Sequence, residues 1–228
     1  MFSGFTKQTS QFFWDLAFNN ERSWFLEHKD EFERDVNLPF KALAGETMQL
    51  MERRWPDREL SLHVSRIYKD ARRLHGSGPY KNHLWFSIKS SAALLEGPMF
   101  WFEVGAKDYA YGMGFYSATA RQMAAFRQSI DANPARFARI AEAVEAQPDF
   151  TVTGEEYSRS KGSYDGVIAR WYNRKRVGVE VDRDFGGDAL SEKLPELLCD
   201  AYDKLMPLYD FFVEFYRMAP PEERERRT

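Results

Sequence analysis

Cysteine is almost absent. Cys199 stands alone among 228 residues, so no internal disulfide can form and a cysteine-held structural zinc is excluded. That usage fits a reducing, cytoplasmic setting. Long hydrophobic runs are missing too. The strongest, Ala92 to Leu95 and Met99 to Phe102, fall far short of a bilayer span, so no membrane partner is expected. The opening Met1 to Lys7 has no basic stretch followed by an apolar one, and no signal peptide is expected. No single charge dominates. The formal net charge is −3, which disfavours a globally basic nucleic-acid binder but leaves room for a local basic patch. What the chain has in quantity is aromatic side chains, 16% of residues with 19 Phe and 6 Trp, enough for a substantial core.

Familiar chemical signatures are equally scarce. His28, His63, His75 and His83 lack the spacing of metal ligands, and no metal or cofactor is expected. No serine sits in a Gly-x-Ser-x-Gly elbow. Gly112-Met113-Gly114 is only a fragment of a dinucleotide-binding loop. Gly76-Ser77-Gly78-Pro79 lacks the spacing and the Lys-Ser/Thr ending of a P-loop.

The patterning predicts helices, then strands, then helices. Thr9 or Ser10 caps a helix burying Phe12, Phe13, Leu16 and Ala17, and Asn19-Asn20 ends it. Trp24, Phe25 and Phe32 recur at helical period, and Pro39 opens a third helix through Met51. Leu60, Leu62 and Val64 alternate with polar residues as a half-buried strand, and Leu84, Phe86 and Ile88 repeat the pattern. Pro98 to Gly105 is apolar on both parities, as a central strand would be. Tyr109 to Tyr116 follows, its Gly112 and Gly114 marking a bulge or close backbone approach. Short links between four such strands imply an antiparallel meander. Helices return at Thr119 to Asn133 and from Pro134 onward, with a short strand near Phe150 to Val152. Val177 to Val181 would add an edge strand. A C-terminal helix running from Leu190 to Phe215 would be kinked or split at Pro207. The expected fold is α+β, with an antiparallel meander and N-terminal, central and C-terminal helices packed on it. Residues 1–218 are expected to form a single domain, and residues 219–228 a charged, flexible tail.

The densest chemistry lies between Arg66 and His83. If the first strand runs on, Arg66, Tyr68, Asp70 and Arg72 continue the face of Leu60, Leu62 and Val64. A buried unpaired charge is costly, so this row must either line a cleft or find partners inside. Arg66 and Asp70 would be roughly 13 Å apart along a strand and could not pair directly. Arg66, Arg72 and Lys81 are therefore the residues expected to hold an anion, with Tyr68 and Tyr80 as hydrogen-bond donors and Arg127 as a further binding residue. Asp70 and His83 are the acid/base candidates. The function expected is an anion-binding domain, in its enzymatic form acting on a phosphate- or carboxylate-bearing small molecule. The alternative is an interaction module, whose basic and aromatic stretch from Ser158 to Arg176 would bind a protein or nucleic acid. A third reading keeps the charges as internal ion pairs.

Three blocks resemble a known family: Asn19-Asn20-Glu21-Arg22-Ser23-Trp24-Phe25, Arg66-Ile67-Tyr68-Lys69-Asp70-Ala71-Arg72, and Pro79-Tyr80-Lys81-Asn82-His83. They are similar to the strongest motifs of the widespread bacterial domain of unknown function 2461. The likeness runs in order over nearly the whole chain. Tyr111 to Tyr116 with Arg127, and Lys161 to Lys175, resemble later segments of that family. The resemblance implies no established activity, cofactor or catalytic residue. Where the family tends to carry Arg-Phe-Ser and a Lys/Asp-rich turn, this chain has Arg73-Leu74-His75-Gly76-Ser77-Gly78, and Lys69 replaces the usual Arg. Fewer charges there argue further against a charge-dense partner such as RNA.

Overall fold

A computed structural model describes residues 1–70, 72, 78–90 and 97–219 of the chain. Strands β1 (Leu60–Val64), β2 (His83–Ser90), β3 (Met99–Gly105) and β4 (Asp108–Gly114) follow one another in the sheet as the alternation predicts. Two later strands, β5 (Thr151–Thr153) and β6 (Gly178–Asp184), complete a six-stranded antiparallel sheet of order β1-β2-β3-β4-β6-β5. The fold is α+β. β6 is not the edge strand that its alternation suggested. It lies between β4 and β5, and β5 pairs with it through Thr151 opposite Glu180 and Thr153 opposite Gly178. The tight spot marked by Gly112 is this seam, where a Cβ would stand 2.1 Å from the Val179 carbonyl oxygen.

Helix α1 (Lys7–Phe18) begins at Thr6, one turn before the expected cap. Thr9 lies inside it, accepting from the Thr6 N–H and donating to the Asp35 carbonyl at 2.6 Å. Phe12, Phe13 and Leu16 are buried as expected, whereas Ala17 is exposed. After α2 (Arg22–Glu27), helix α3 (Lys29–Phe32) passes through a wider π turn at Glu33–Asn37 into α4 (Leu38–Arg54). Pro39 therefore sits just past a π turn rather than at a fresh start. Proline lacks the N–H of a regular turn and crowds the carbonyl four residues back, and a wider turn leaves room for both.

Helix α5 (Ala120–Ala132) starts in a reciprocal cap, Gln122 N–H to Thr119 Oγ1 at 3.2 Å and Thr119 N–H to Gln122 Oε1 at 2.8 Å. Helix α6 (Pro134–Glu145) starts where Asn133 Oδ1 accepts from the Arg136 N–H. The polar stretch from Ser158 to Arg176 contains a helix the pattern hid, α7 (Gly166–Tyr172). Helix α8 (Leu194–Met218) runs unbroken through Pro207. Pro207 and Asp203 are both exposed, and the proline leaves the Asp203 carbonyl without its helical donor. Ala219 is buried and its N–H still bonds the Phe215 carbonyl, and the rest of the expected tail lies outside the described residues. Among the described residues no helix is long and apolar enough to cross a membrane.

Two compact units divide the chain. One comprises Met1–Ile88, Trp101–Tyr111 and Asp182–Ala201. The other comprises Lys89–Phe100, Gly112–Val181 and the chain from Tyr202 onward. Phenylalanine fills both. In the first, Phe40, Phe86 and Phe102 pack with ring centroids 5.4–6.3 Å apart. In the second, Phe126 meets Phe137, Phe212 and Phe215 at 5.4–5.9 Å. Cys199 is buried.

Candidate functional site

The three sequence blocks meet in the first unit. Ile67 to Lys69 runs antiparallel to Pro79 to Lys81, with Lys69 N–H on the Pro79 carbonyl and Lys81 N–H on the Ile67 carbonyl, both at 2.8 Å. Tyr68 thereby stands opposite Tyr80. Asn20 closes the arrangement. Its Nδ2 donates to the Tyr80 carbonyl and its Oδ1 accepts from the Tyr80 N–H, each at 3.0 Å, so the side chain imitates a peptide strand. Asn19 is the helix end that the pair suggested, but Asn20 is this clamp, a role that its place at a helix end does not show. Gly78 fits under the clamp because it has no side chain: a Cβ would stand 2.3 Å from Asn20 Cγ.

The clamp buries one tyrosine and presents the other. Tyr80 is 2% exposed, with its ring stacked on Phe25 at 4.1 Å. Burial pushes its phenol upward, and nearby Tyr68 adds to that. Tyr80 is thus committed to packing. Tyr68, 54% exposed, leans against both rings at 5.3 and 6.0 Å.

The charged row does not continue the buried face of β1, contrary to the alternation. Pairing shifts at Ser65, whose N–H donates to the Trp85 carbonyl at 2.8 Å while its Oγ accepts from the Trp85 N–H at 2.9 Å. The hydroxyl stands in for a backbone acceptor, and the parity slips by one residue. Ser65 and Ile67 turn inward, and Arg66, Tyr68, Asp70 and Arg72 turn outward. Burying Ile67 rather than a guanidinium is the cheaper outcome.

The outward charges then sort themselves. Arg72, 87% exposed, grips Asp70: Nη2 lies 2.7 Å from Oδ2 and Nε 3.1 Å from Oδ1, and the Arg72 N–H bonds Oδ1 as well. That carboxylate raises the Arg72 pKa by hydrogen bonding and charge. Lys81 is half-buried, and its ammonium donates to the Arg66 carbonyl at 2.8 Å. Burial lowers its pKa, the Arg66 guanidinium lowers it further, and Glu103 opposes both. Among the described residues no carboxylate forms an ion pair with Lys81. His83 touches Asn82 Oδ1 through Nδ1 at 3.1 Å and lies 3.7 Å from Glu103 through Nε2. Arg66, Tyr68, Lys81 and His83 are thus carried by the clamp and the start of β2, with Glu103 of β3 beside them. Glu103 is the member that sequence reading missed, since its own strand reads as core.

Arg127 belongs to the second unit, on α5, with its guanidinium 5.7 Å from the Tyr157 ring and 6.0 Å from the Tyr172 ring. The basic stretch nearby is largely paired with acids that local sequence does not reveal. Arg170 binds Glu145, Lys175 binds Glu155, and Arg174 reaches Glu156 and the Gly154 carbonyl. Trp171 is fully buried, its Nε1 donating to Glu145 at 2.9 Å. Burial raises the Glu145 pKa, but the bonds from Arg170 and Trp171 outweigh it and hold the carboxyl below its usual range.

Residues 8–211 match the model of a family described as conserved hypothetical protein, DUF2461. The chain belongs to that family. The match takes in Asn20, Arg66, Lys81 and Arg127, so both arrangements lie within the family's shared region. No curated protein matches the chain.

Proposed function

We propose that this protein binds a phosphate- or carboxylate-bearing small molecule on the face formed by Arg66, Tyr68, Lys81 and His83. One observation carries the reading. The Lys81 ammonium is held by a backbone carbonyl beside the like charge of Arg66, partly desolvated and, among the described residues, without an acidic ion-pair partner. Two cations so placed repel each other, and an oxyanion lying between them converts that repulsion into attraction. Arg66 offers the planar fork suited to oxyanions and the exposed Tyr68 a hydroxyl. Arg72 reaches such a ligand only by leaving Asp70, so both stand outside the core of the proposed site. In an enzymatic form, His83 with Glu103 supplies the acid/base pair.

The interaction-module alternative has less support. Trp171 is buried, and Arg170, Arg174 and Lys175 are already paired. The lone buried Cys199 fits a cytoplasmic setting. A thermal-shift screen of phosphates, nucleotides and organic acids tests the proposal. A ligand at about 100 times its Kd adds about 2.7 kcal/mol, and Arg66→Ala and Lys81→Met should each remove that shift. A stabilising anion that still acts on both variants would refute the site.

A further inference from the structure

We infer that the second unit holds a separate phosphoryl-binding site between Arg127 and Lys161, on the faces of Tyr157 and Tyr172. The starting point is Arg127 Nη1, which is buried and has no hydrogen-bond partner. A guanidinium N–H shut away from water is normally satisfied. The two ring faces attract the cation but do not accept its N–H bonds in the way an oxygen does.

The nearest acid turns elsewhere. Asp131 lies one turn further along α5, and its two oxygens accept from the Tyr164 and Tyr172 hydroxyls at 2.9 and 3.0 Å. Among the described residues it makes no ion pair with Arg127. Meanwhile three cations gather on Tyr157: Lys161 at 4.4 Å, Arg127 at 5.7 Å and Lys175 at 6.0 Å from the ring centre. Lys175 is neutralised by Glu155. Lys161 and Arg127 have no acid among the described residues. Two cations without an ion-pair partner among the described residues, both at one aromatic ring, suit a dianion better than a single carboxylate, and a tetrahedral phosphoryl group can be shared between a fork and an ammonium.

The approach lies along the exposed strap Ser158 to Gly162. Lys161 N–H is tied to Asn173 Oδ1 at 3.2 Å, and Gly162 lies directly on Tyr172, where a Cβ would stand 2.7 Å from Cε1. These contacts hold the strap backbone, and from it the Lys161 ammonium reaches over Tyr157.

Calorimetric titration of the full chain with inorganic phosphate, and with acetate as the carboxylate arm, tests this. Saturable phosphate binding is expected, weakened by roughly tenfold or more in Lys161→Ala and in Arg127→Lys, which keeps the charge but loses the fork. Lys161 is exposed, so its variant reads the site even if the Arg127 variant folds poorly. Arg66→Ala separates the two proposals: it should leave this binding intact. Absence of saturable phosphate uptake overturns the site, as does unchanged binding in Lys161→Ala or loss of all uptake in Arg66→Ala alone. Acetate binding to Arg66→Ala as tightly as phosphate overturns the phosphoryl assignment.

Discussion

Asn20 and Tyr80 are joined by two hydrogen bonds of 3.0 Å, a side-chain amide pairing with a backbone peptide 60 positions away. Everything exposed on the Arg66–Lys81 face hangs from that junction, because Tyr80 lies directly opposite Tyr68.

Asn20→Ala removes both bonds and orphans a partly buried N–H and C=O, each costing about 1–3 kcal/mol. Urea unfolding should show a loss of that order. Gly78→Ala should be comparably harmful, and Asn20→Ala should not rescue it. The added methyl would also meet the Asn20 backbone oxygen at 2.4 Å, which truncating the side chain leaves in place. Full rescue in the double variant would contradict this packing.

Tyr80→Phe and Phe25→Ala separate packing from binding. The first keeps the stacked ring and should leave both stability and any anion-induced thermal shift nearly unchanged. The second empties a core position and should cost about 3–5 kcal/mol by chemical denaturation. Arg72→Ala likewise should not abolish anion binding, since Arg72 is bound to Asp70. A ligand effect lost in Tyr80→Phe would show that the hydroxyl matters after all.

Lys81 gives a pH signature. Its folded-state pKa lies below the ordinary 10.5, so the charged form is penalised in the folded protein throughout the neutral range. As pH rises through the lowered value toward 10.5, the unfolded chain still holds the proton that the folded chain has released. Stability therefore rises across that window from this group. Unfolding midpoints from neutral to alkaline pH should show the wild type gaining relative to Lys81→Met. A bound oxyanion restores the pKa and should flatten the gain. Parallel profiles for the two proteins would count against it.

Pro207→Ala should stabilise. Residue 207 is exposed within a continuous helix, and alanine restores the missing N–H to the Asp203 carbonyl. An interior proline costs about 3 kcal/mol relative to alanine, and solvation of the freed carbonyl reduces the recoverable part. Thermal unfolding should move upward, and a downward shift would mean that the proline is holding a shape the helix needs.

Local patterns carried much of this architecture. The β1–β4 meander and the helices that start near Thr119 and Pro134 follow from spacing within a few residues, whereas β3, apolar on both parities, buries mainly alternate residues. What escaped depends on partners far along the chain. The parity of Arg66 was lost because Ser65 borrows the Trp85 backbone, a relationship that no alternation records. Asn20 reads only as part of a helix end because its real partner, Tyr80, lies 60 positions away. The Ser158 to Arg176 stretch looks unpaired until Glu145 arrives from α6 and Glu155 and Glu156 turn back onto it. For the site, residue identities were legible, but the division between the buried Tyr80, the paired Asp70 and Arg72, and the presented Arg66, Tyr68 and Lys81 was not.

The order of the sheet has a consequence during synthesis. Because β6 sits between β4 and β5, the ribosome delivers both flanking strands before the one that joins them. Until Gly178–Asp184 emerges, the nascent polypeptide carries two open hydrogen-bonding rims, and a translation product halted short of it would be expected to self-associate.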